Sequence, residues 1–202
     1  MARTVSWTQT TAPTVEPVSR TEAKSAAQIE HTDDDTYIDM LIVRARKWVE
    51  SRLQRQLVTA TWRLDLESFP AEILLPWPVA QSVSSITYTD TDGDSQTVTA
   101  SDYQTDTGSI PARIKPSFGN AWPAVRSGDY AVAQVTFVAG YGVASDVPDG
   151  IKGAIEQLVA HWYGYREHVV EGQPMSVPVM FKSLLADYRT YANDLAFVVN
   201  AK

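Results

Sequence analysis

The stretch TDDDTYIDMLIVRARKWVESRLQRQLVTATWRLDLESF (Thr32–Phe69) changes its hydrophobic period part of the way along. In the first part, apolar residues recur at steps of three and four, the spacing of an amphipathic helix: Tyr37, Ile38, Leu41, Ile42, Ala45, Trp48, Val49 and Leu53. In the second part, Trp62, Leu64 and Leu66 alternate with charged residues, which is the period of a half-buried strand. The sequence therefore predicts an α+β protein.

Helical patterns lie on both sides of this change. Upstream, Ser19 and Glu22 have the spacing of a capping box, which predicts a short helix ending near His31. Downstream, a second apolar stripe follows Pro148. Since proline suits a first helical turn, a helix is predicted to begin there. A last stripe begins at Phe181. We expect a bundle of about four helices formed by residues 19–57 and 148–202.

The middle of the chain reads as short strands. ILLPWPV, VSSITYTDTDGDSQTVTASDY, ARIKP and YAVAQVTFVAGYG are rich in β-branched and aromatic residues, and Asp92-Gly93 is a hairpin signal. Residues 58–147 are therefore predicted to form a β-rich domain inserted between helices 2 and 3 of the bundle. Residues 1–18, rich in threonine and proline without periodicity, are expected to be a flexible N-terminal arm.

Charge and composition narrow the function classes. The 202 residues carry a net charge of −7 and contain no cysteine, which excludes disulfides and thiolate chemistry. Residues 58–147 hold 4 basic and 10 acidic side chains, a poor composition for gripping nucleic acid phosphates. Neither a signal-peptide core nor an apolar run of about 18 residues occurs, so we expect a soluble protein.

No pattern in the sequence predicts catalysis, a metal or a cofactor. The three histidines match no HExxH spacing, and GxSxG, GxxxxGK[ST] and GxGxxG are missing. The run Asp33–Asp35 is interpreted as favourable charge at a helix start. DTDGD (Asp90–Asp94) is interpreted as a hairpin because it lacks the glutamate that closes a calcium loop.

The segment FVAGYG (Phe137–Gly142) has the glycines of a phosphate cradle but no lysine. We therefore interpret Gly140 and Gly142 as a structural turn, in which positive φ lets the chain pass from the last strand to the next helix. On this interpretation both glycines are needed for folding rather than for chemistry.

Two other functions are compatible with particular residues. Trp77 and Trp122 lie beside prolines in irregular segments, and tryptophans in such places can serve a tail-associated carbohydrate-binding or interaction module as stacking platforms. A hydrolase would need paired carboxylates such as Asp102 and Asp106, with perturbed pKa values in a cleft.

Three blocks in succession carry a family resemblance. They are PVSRTEAKSAAQIEHTDDDTYIDMLIVRARKWVESRLQRQL, TWRLDLESFP…ILLPWPVAQSVSSITYTDTDG and VTFVAGYG…VPDGIKGAIEQLVAHWYGYRE, and together they span roughly residues 17–192. With them the chain resembles the bacteriophage head–tail connector (adaptor) family, structural virion proteins without enzymatic activity.

The resemblance implies a homo-oligomeric ring of about a dozen copies that binds the portal protein on one face and a stopper or tail-completion protein on the other. DNA would pass through its lumen without specific binding. The protein would lie in the neck of the virion, and in the host cytoplasm during assembly, with no membrane association.

The resemblance also implies where the partners bind. Adaptors of this kind commonly contact the portal through their C-terminal segment, so the expected portal contacts are Phe181, Leu184, Leu185, Tyr188, Leu195 and Phe197. The aromatic and charged end of the third helix is an expected contact between subunits, because tyrosine and arginine are favoured interface residues, and its arginine can equally bond the last carbonyls of the helix. Its residues are Trp162, Tyr165 and Arg166.

Overall fold

The computed structural model describes residues 5–165, 169–170, 173–174 and 185–188. The helices and strands are β1 (Val5–Thr11), α1 (Arg20–Ala27), α2 (Asp35–Leu53), β2 (Ala60–Leu66), β3 (Ile73–Leu75), β4 (Ala80–Thr89), β5 (Ser95–Thr97), β6 (Tyr103–Asp106), β7 (Ala112–Pro116), β8 (Ala133–Ala139), α3 (Asp149–Gly164), β9 (Val169–Val170) and β10 (Gln173–Pro174). The described residues form two compact units: a β unit, with residues 5–13 and Thr59–Tyr141, and a helical unit, with Thr14–Val58 and the described residues between Gly142 and Tyr188.

Two antiparallel sheets build the β unit. One has five strands in the order β1-β2-β8-β4-β5, and the other has three in the order β3-β7-β6. The alternating pattern of β2 puts Leu64 opposite Val135 of β8, which is opposite Ile86 of β4. These three side chains are fully buried and share one core with Ile73 and Ile114 of the smaller sheet. The α+β class predicted from the sequence is confirmed.

The β4–β5 hairpin forms at the predicted Asp-Gly turn. One carboxylate oxygen of Asp90 accepts hydrogen bonds from the backbone N–H groups of Asp92, Gly93 and Asp94, at 3.0, 3.0 and 2.9 Å. A hydrogen bond from Gln96, helped by these N–H groups, lowers the pKa of Asp90. This carboxylate therefore organises the turn, as the hairpin interpretation requires.

The helical unit begins at the predicted capping box. Ser19 Oγ accepts from the Glu22 N–H at 3.2 Å, and Glu22 Oε2 accepts from the Ser19 N–H at 2.7 Å. The two bonds satisfy donors that the helix itself leaves unpaired. Helix α2 then buries the predicted apolar stripe, including Ile38, Leu41 and Val49. No helix in the described part of the chain is long and apolar enough to cross a membrane.

The N-terminal segment differs from the expected flexible arm. Residues Val5–Thr11 form β1, which pairs antiparallel with β2 along the edge of the larger sheet. The segment VSWTQTT has β-branched and aromatic residues but no charge, so it can complete a backbone ladder that β2 offers. The larger sheet therefore contains one strand that precedes α1 in the sequence and four that follow α2, whereas the prediction placed all strands in one insertion.

The helical bundle is described only in part. Three α-helices are present in the described residues, and β2 to β8 lie between α2 and α3 in chain order, but a four-helix bundle is not confirmed. Most of the predicted last helix lies outside the described residues. Within that stretch the structure describes only Leu185 and a single 3-10 turn, Ala186–Tyr188.

Candidate interaction surfaces

The end of α3 presents part of the expected subunit contact. Tyr165 is 51% exposed and caps the helix, with its backbone N–H donating to the His161 carbonyl at 3.1 Å. Its ring lies 5.1 Å from the His161 ring. Trp162 is half-buried, and Arg166 lies outside the described residues. This face therefore offers one accessible aromatic side chain, and its role as a subunit contact stays a prediction.

The expected portal contacts are described for two residues. Leu185 is buried, with 5% of its surface exposed. Tyr188 lies against Gly150 of α3, so close that a Cβ added there would sit 3.0 Å from the tyrosine Oη. Both side chains thus pack within the helical unit. The other expected contacts lie outside the described residues: Phe181, Leu184, Leu195 and Phe197.

The turn after β8 has the backbone that its glycines permit. Gly140 has φ 125° and Gly142 has φ 138°, a region that L side chains rarely adopt. At Gly142 an added Cβ would overlap the Asp146 carboxylate. That carboxylate accepts from the Val143 N–H at 3.0 Å, so it cannot swing away without losing a hydrogen bond. The turn is built from backbone and Asp146, and the need for both glycines in folding stays a prediction.

A buried charged network, not predicted from the sequence, lies within the helical unit. Arg46 donates to both oxygens of Glu16, at 2.7 and 3.2 Å, and to Glu50 at 2.9 Å. Glu50 also accepts from the Gln56 side chain at 2.7 Å and the Leu57 N–H at 3.2 Å. Arg46 and Glu50 are 5% and 7% exposed. The network fastens both the segment before α1 and the segment after α2 to that helix.

This network has opposing effects on ionisation. Burial raises the pKa of Glu50, against the effect of the Arg46 charge. The carboxylates of Glu16 and Glu50 raise the pKa of Arg46 and outweigh its own burial. The four-residue spacing of Arg46 and Glu50 was readable from the sequence, but Glu16 is thirty residues away and is brought there only by the fold.

His31 also has a structural place. Tyr163 of α3 donates to Asp34 Oδ2 at 2.5 Å, and its hydroxyl lies 3.3 Å from His31 Nε2. The Tyr163 ring is 6.3 Å from that of Tyr37. These contacts join the beginning of α2 to α3. Asp34 therefore accepts from a side chain across the unit, and it makes no side-chain bond to the start of its own helix.

The tryptophans considered for sugar binding are half-buried and pack against the margin of the β unit's core. Trp77 stacks on Trp62 at 4.7 Å between centroids, and Trp122 stacks on Phe69 at 4.8 Å. The indole N–H groups of Trp77 and Trp122 are buried and have no partner among the described residues. A sugar-binding platform needs a free ring face and an accessible N–H. Nothing in this geometry favours that function.

The carboxylates considered for hydrolysis are held by other groups. Asp106 accepts from Arg113 at 2.7 Å, and this bond lowers its pKa, the opposite of what a general acid needs. Asp102 accepts from the Asn120 amide at 3.2 Å. Among the described residues, no group of histidines and carboxylates could hold a metal ion.

Two aromatic side chains of the β unit point into solvent. Phe118 is fully exposed at the tip of the turn Ser117–Asn120, and Tyr130 is 83% exposed. The turn is fixed to the segment before β6, because Ser117 donates from both its N–H and its hydroxyl, at 2.9 Å each, to the carbonyls of Asp102 and Ser101. Phe118 is therefore held in an exposed position by its own turn.

The family model described as "HCP: Head completion protein" matches residues 17–176. No curated protein matches the sequence.

Three solved structures are similar over 92% of this chain. They are the neck of an empty gene transfer agent particle computed with C6 symmetry (TM-score 0.75, 20% identity, 96% of that chain covered), the virion of a native gene transfer agent particle (0.75, 19%, 95%), and the neck of a native particle computed with C12 symmetry (0.65, 21%, 96%). At these identities the likeness shows a shared fold.

Proposed function

The chain belongs to the head completion protein family, and from this membership we propose that it is a structural protein of the virion neck. In this role it forms a ring beneath the portal, links the capsid to the tail and lets DNA pass during packaging and ejection. The observation that carries the proposal is the family match over residues 17–176, which covers α1, α2, α3 and all strands between them. The shared fold with neck proteins of gene transfer agent particles supports it.

Exposed apolar side chains support a multi-subunit assembly. On the helical unit Tyr165 is 51% exposed and Met40 is 46% exposed, and on the β unit Phe118 is fully exposed. A ring subunit meets two neighbours and two axial partners, so it must keep such groups accessible before assembly. The contact surfaces fix the rotation between neighbouring copies, and this rotation fixes how many copies close the ring. We propose about a dozen copies, from the family resemblance.

The charge distribution supports passage of DNA without binding. The β4–β5 hairpin carries the exposed Asp92 and Asp94 as well as the half-buried Asp90, and the whole segment 58–147 has only four basic residues. Binding to DNA gains most of its affinity from cations that release phosphate counterions. A surface of this composition repels the duplex, and this suits the wall of a channel.

We propose that the portal contact lies in the last part of the chain. Leu185 and Tyr188 pack within the helical unit, so we assign the contact to the other expected residues, among them Leu195 and Phe197. Removing only residues 190–202 keeps Leu185 and Tyr188 in place. This truncated chain should retain its helical circular dichroism signal and lose co-purification with the portal protein. A truncated chain that still binds the portal would refute the assignment.

The role in the neck is tested in assembling particles. Particles made without this chain should contain filled heads that lack tails, and restoring the full-length chain should restore tailed particles. Phe118→Ala and Tyr165→Ala variants separate the two exposed surfaces, because each removes one aromatic contact without touching the core. Normal tailing in the complete absence of the chain would contradict the proposed function.

A further inference from the structure

Among the described residues, the larger sheet ends at β1 on one side and at β5 on the other, and these two edge strands are parallel and lie at the same level. We propose that this sheet continues from one copy of the chain to the next, with β1 of one copy pairing beside β5 of its neighbour. The proposal rests on the ring proposed above and names the contact that closes it. Its occupant is a second copy of this chain.

The first observation is that β1 is an edge strand, with no strand paired to its outer side among the described residues. It runs for seven residues without charge or proline, and every described side chain from Ser6 to Thr11 is exposed. Natural sheets usually guard such an edge with lysine, proline, a charge or a covering element, because its unpaired N–H and C=O groups attract another strand. An edge left open over this length is suited to a partner strand.

The second observation is that β5, at the opposite edge, runs in the same direction at the same level. Gln96 pairs with Tyr88, and the row continues through Ala133 and Leu66 to Val5. Thr97 is likewise level with Ser6. Four successive antiparallel pairings separate the edges, so β1 and β5 are parallel to each other. A neighbouring copy rotated about an axis along the strands would therefore bring its β5 beside β1 in level register.

The third observation concerns Trp7. It pairs with Leu64, so its side chain lies on the core face of the sheet, yet it is 45% exposed because β1 is the last strand. At the other edge, Val98 follows β5 and closes the same core, with 8% of its surface exposed. Joining the edges would place Trp7 of one copy over the end of the next copy's core.

Symmetry favours pairing of β1 with β5, because this contact joins two different surfaces and can repeat from copy to copy around a ring. Pairing of β1 with a second β1 would instead be isologous and would stop at a dimer.

Cysteine cross-linking tests the contact, because the chain has no cysteine of its own. The variant pair Ser6→Cys and Thr97→Cys, in one full-length chain, places a thiol on each edge at the same level. Within one copy the two positions are four strand spacings apart, about 19 Å. A disulfide needs Cα atoms within about 7 Å. Oxidation can therefore link them only between copies.

The expected result, with the full-length chain assembled alone or on its portal, is a ladder of covalent oligomers that collapses to monomer on reduction. An equal mixture of the two single variants should stop at dimers. The control pair Ser6→Cys and Gln157→Cys, with the second thiol on the exposed face of α3, should give no ladder. Dimers from Ser6→Cys alone would show isologous pairing and overturn the proposal.

The outcomes separate this proposal from the proposed function. Rings that form, by mass measurement, while the Ser6–Thr97 variant gives no ladder would overturn the strand contact and leave the neck function standing. A chain that forms no ring alone or with portal would overturn both. An equally strong ladder from the Gln157 control would show random collision and count against the contact.

Discussion

The β unit and the helical unit differ in the kinds of side chain that they bury. Between its two sheets the β unit packs an apolar core around Phe137, Ile86 and Ile114, with tryptophans at its margin. The helical unit also buries apolar residues, but it places Arg46 and Glu50 among them in a hydrogen-bonded network. In an apolar core, the stability lost on shortening a side chain grows with the volume of the cavity left behind. A buried ion pair is costly when one partner is lost, even where the intact pair adds little net stability.

The largest expected effect is in the β unit. Phe137→Ala removes the largest fully buried side chain among the described residues and should lower the free energy of unfolding by about 3–5 kcal/mol. Urea denaturation measures this loss. Phe118→Ala is the matched control, because that ring is fully exposed, and its change should stay within about 0.5 kcal/mol. Equal losses in the two variants would show that burial does not distinguish them.

The second effect tests the helical unit. Glu50→Ala takes one carboxylate from buried Arg46 and leaves the Leu57 N–H without its acceptor, so it should cost about 3 kcal/mol in urea denaturation. Exposed Glu30→Ala should change little. A Glu50→Ala variant as stable as the original chain would mean that the network does not hold the segments around α2.

The third effect concerns the turn between β8 and α3. Gly142→Ala puts a side chain at φ 138° and against Asp146, so it should cost about 1–3 kcal/mol. Gly153→Ala, inside α3 with no atom within 4 Å of the added Cβ, should instead raise stability by about 0.5–1 kcal/mol. An unchanged melting temperature for Gly142→Ala would contradict the structural role of the turn.

The fourth effect is at the start of α1. Ser19→Ala removes the acceptor for the Glu22 N–H and should cost about 1 kcal/mol by thermal unfolding near neutral pH. Thr36→Ala, at an exposed position past the start of α2, is a control for changing a hydroxyl residue outside a cap. Ser19→Ala should lose clearly more stability than Thr36→Ala. A similar small loss in both variants would show that the cap does not stabilise α1.

The smallest effect is the pH dependence of that cap. Hydrogen bonds from Ser19 lower the pKa of Glu22 in the folded chain. A lowered pKa stabilises the fold above the unfolded pKa, about 4.3, and this contribution is lost as pH falls through the folded value. The melting-temperature gap between the original chain and Ser19→Ala should therefore narrow from pH 7 to about pH 3. A gap that widens at acid pH would reverse the assigned sign.

Local patterns in the sequence predicted local structure well. The capping box of Ser19 and Glu22, the stripe of α2 and the alternation of β2 each depend on residues a few positions apart. The hairpin at Asp92-Gly93 was also predicted from adjacent residues, and the structure connects Thr89 to Ser95 through residues 90–94, organised by the Asp90 carboxylate.

Features that depend on distant residues could not be predicted in this way. Strand β1 exists because β2, more than fifty residues later, offers it a free edge. The more distant partner of Arg46 is Glu16, from a segment with no periodic pattern. The exposure of Phe118 follows from how its turn is fixed to Asp102, and hydrophobic composition alone would have placed it in a core.

The most direct test of the central claim is cryo-electron microscopy of the purified full-length chain together with its portal protein. We expect a closed ring of copies seated on one face of the portal, with a continuous channel through both. A chain that stays monomeric and never joins the portal complex would contradict it.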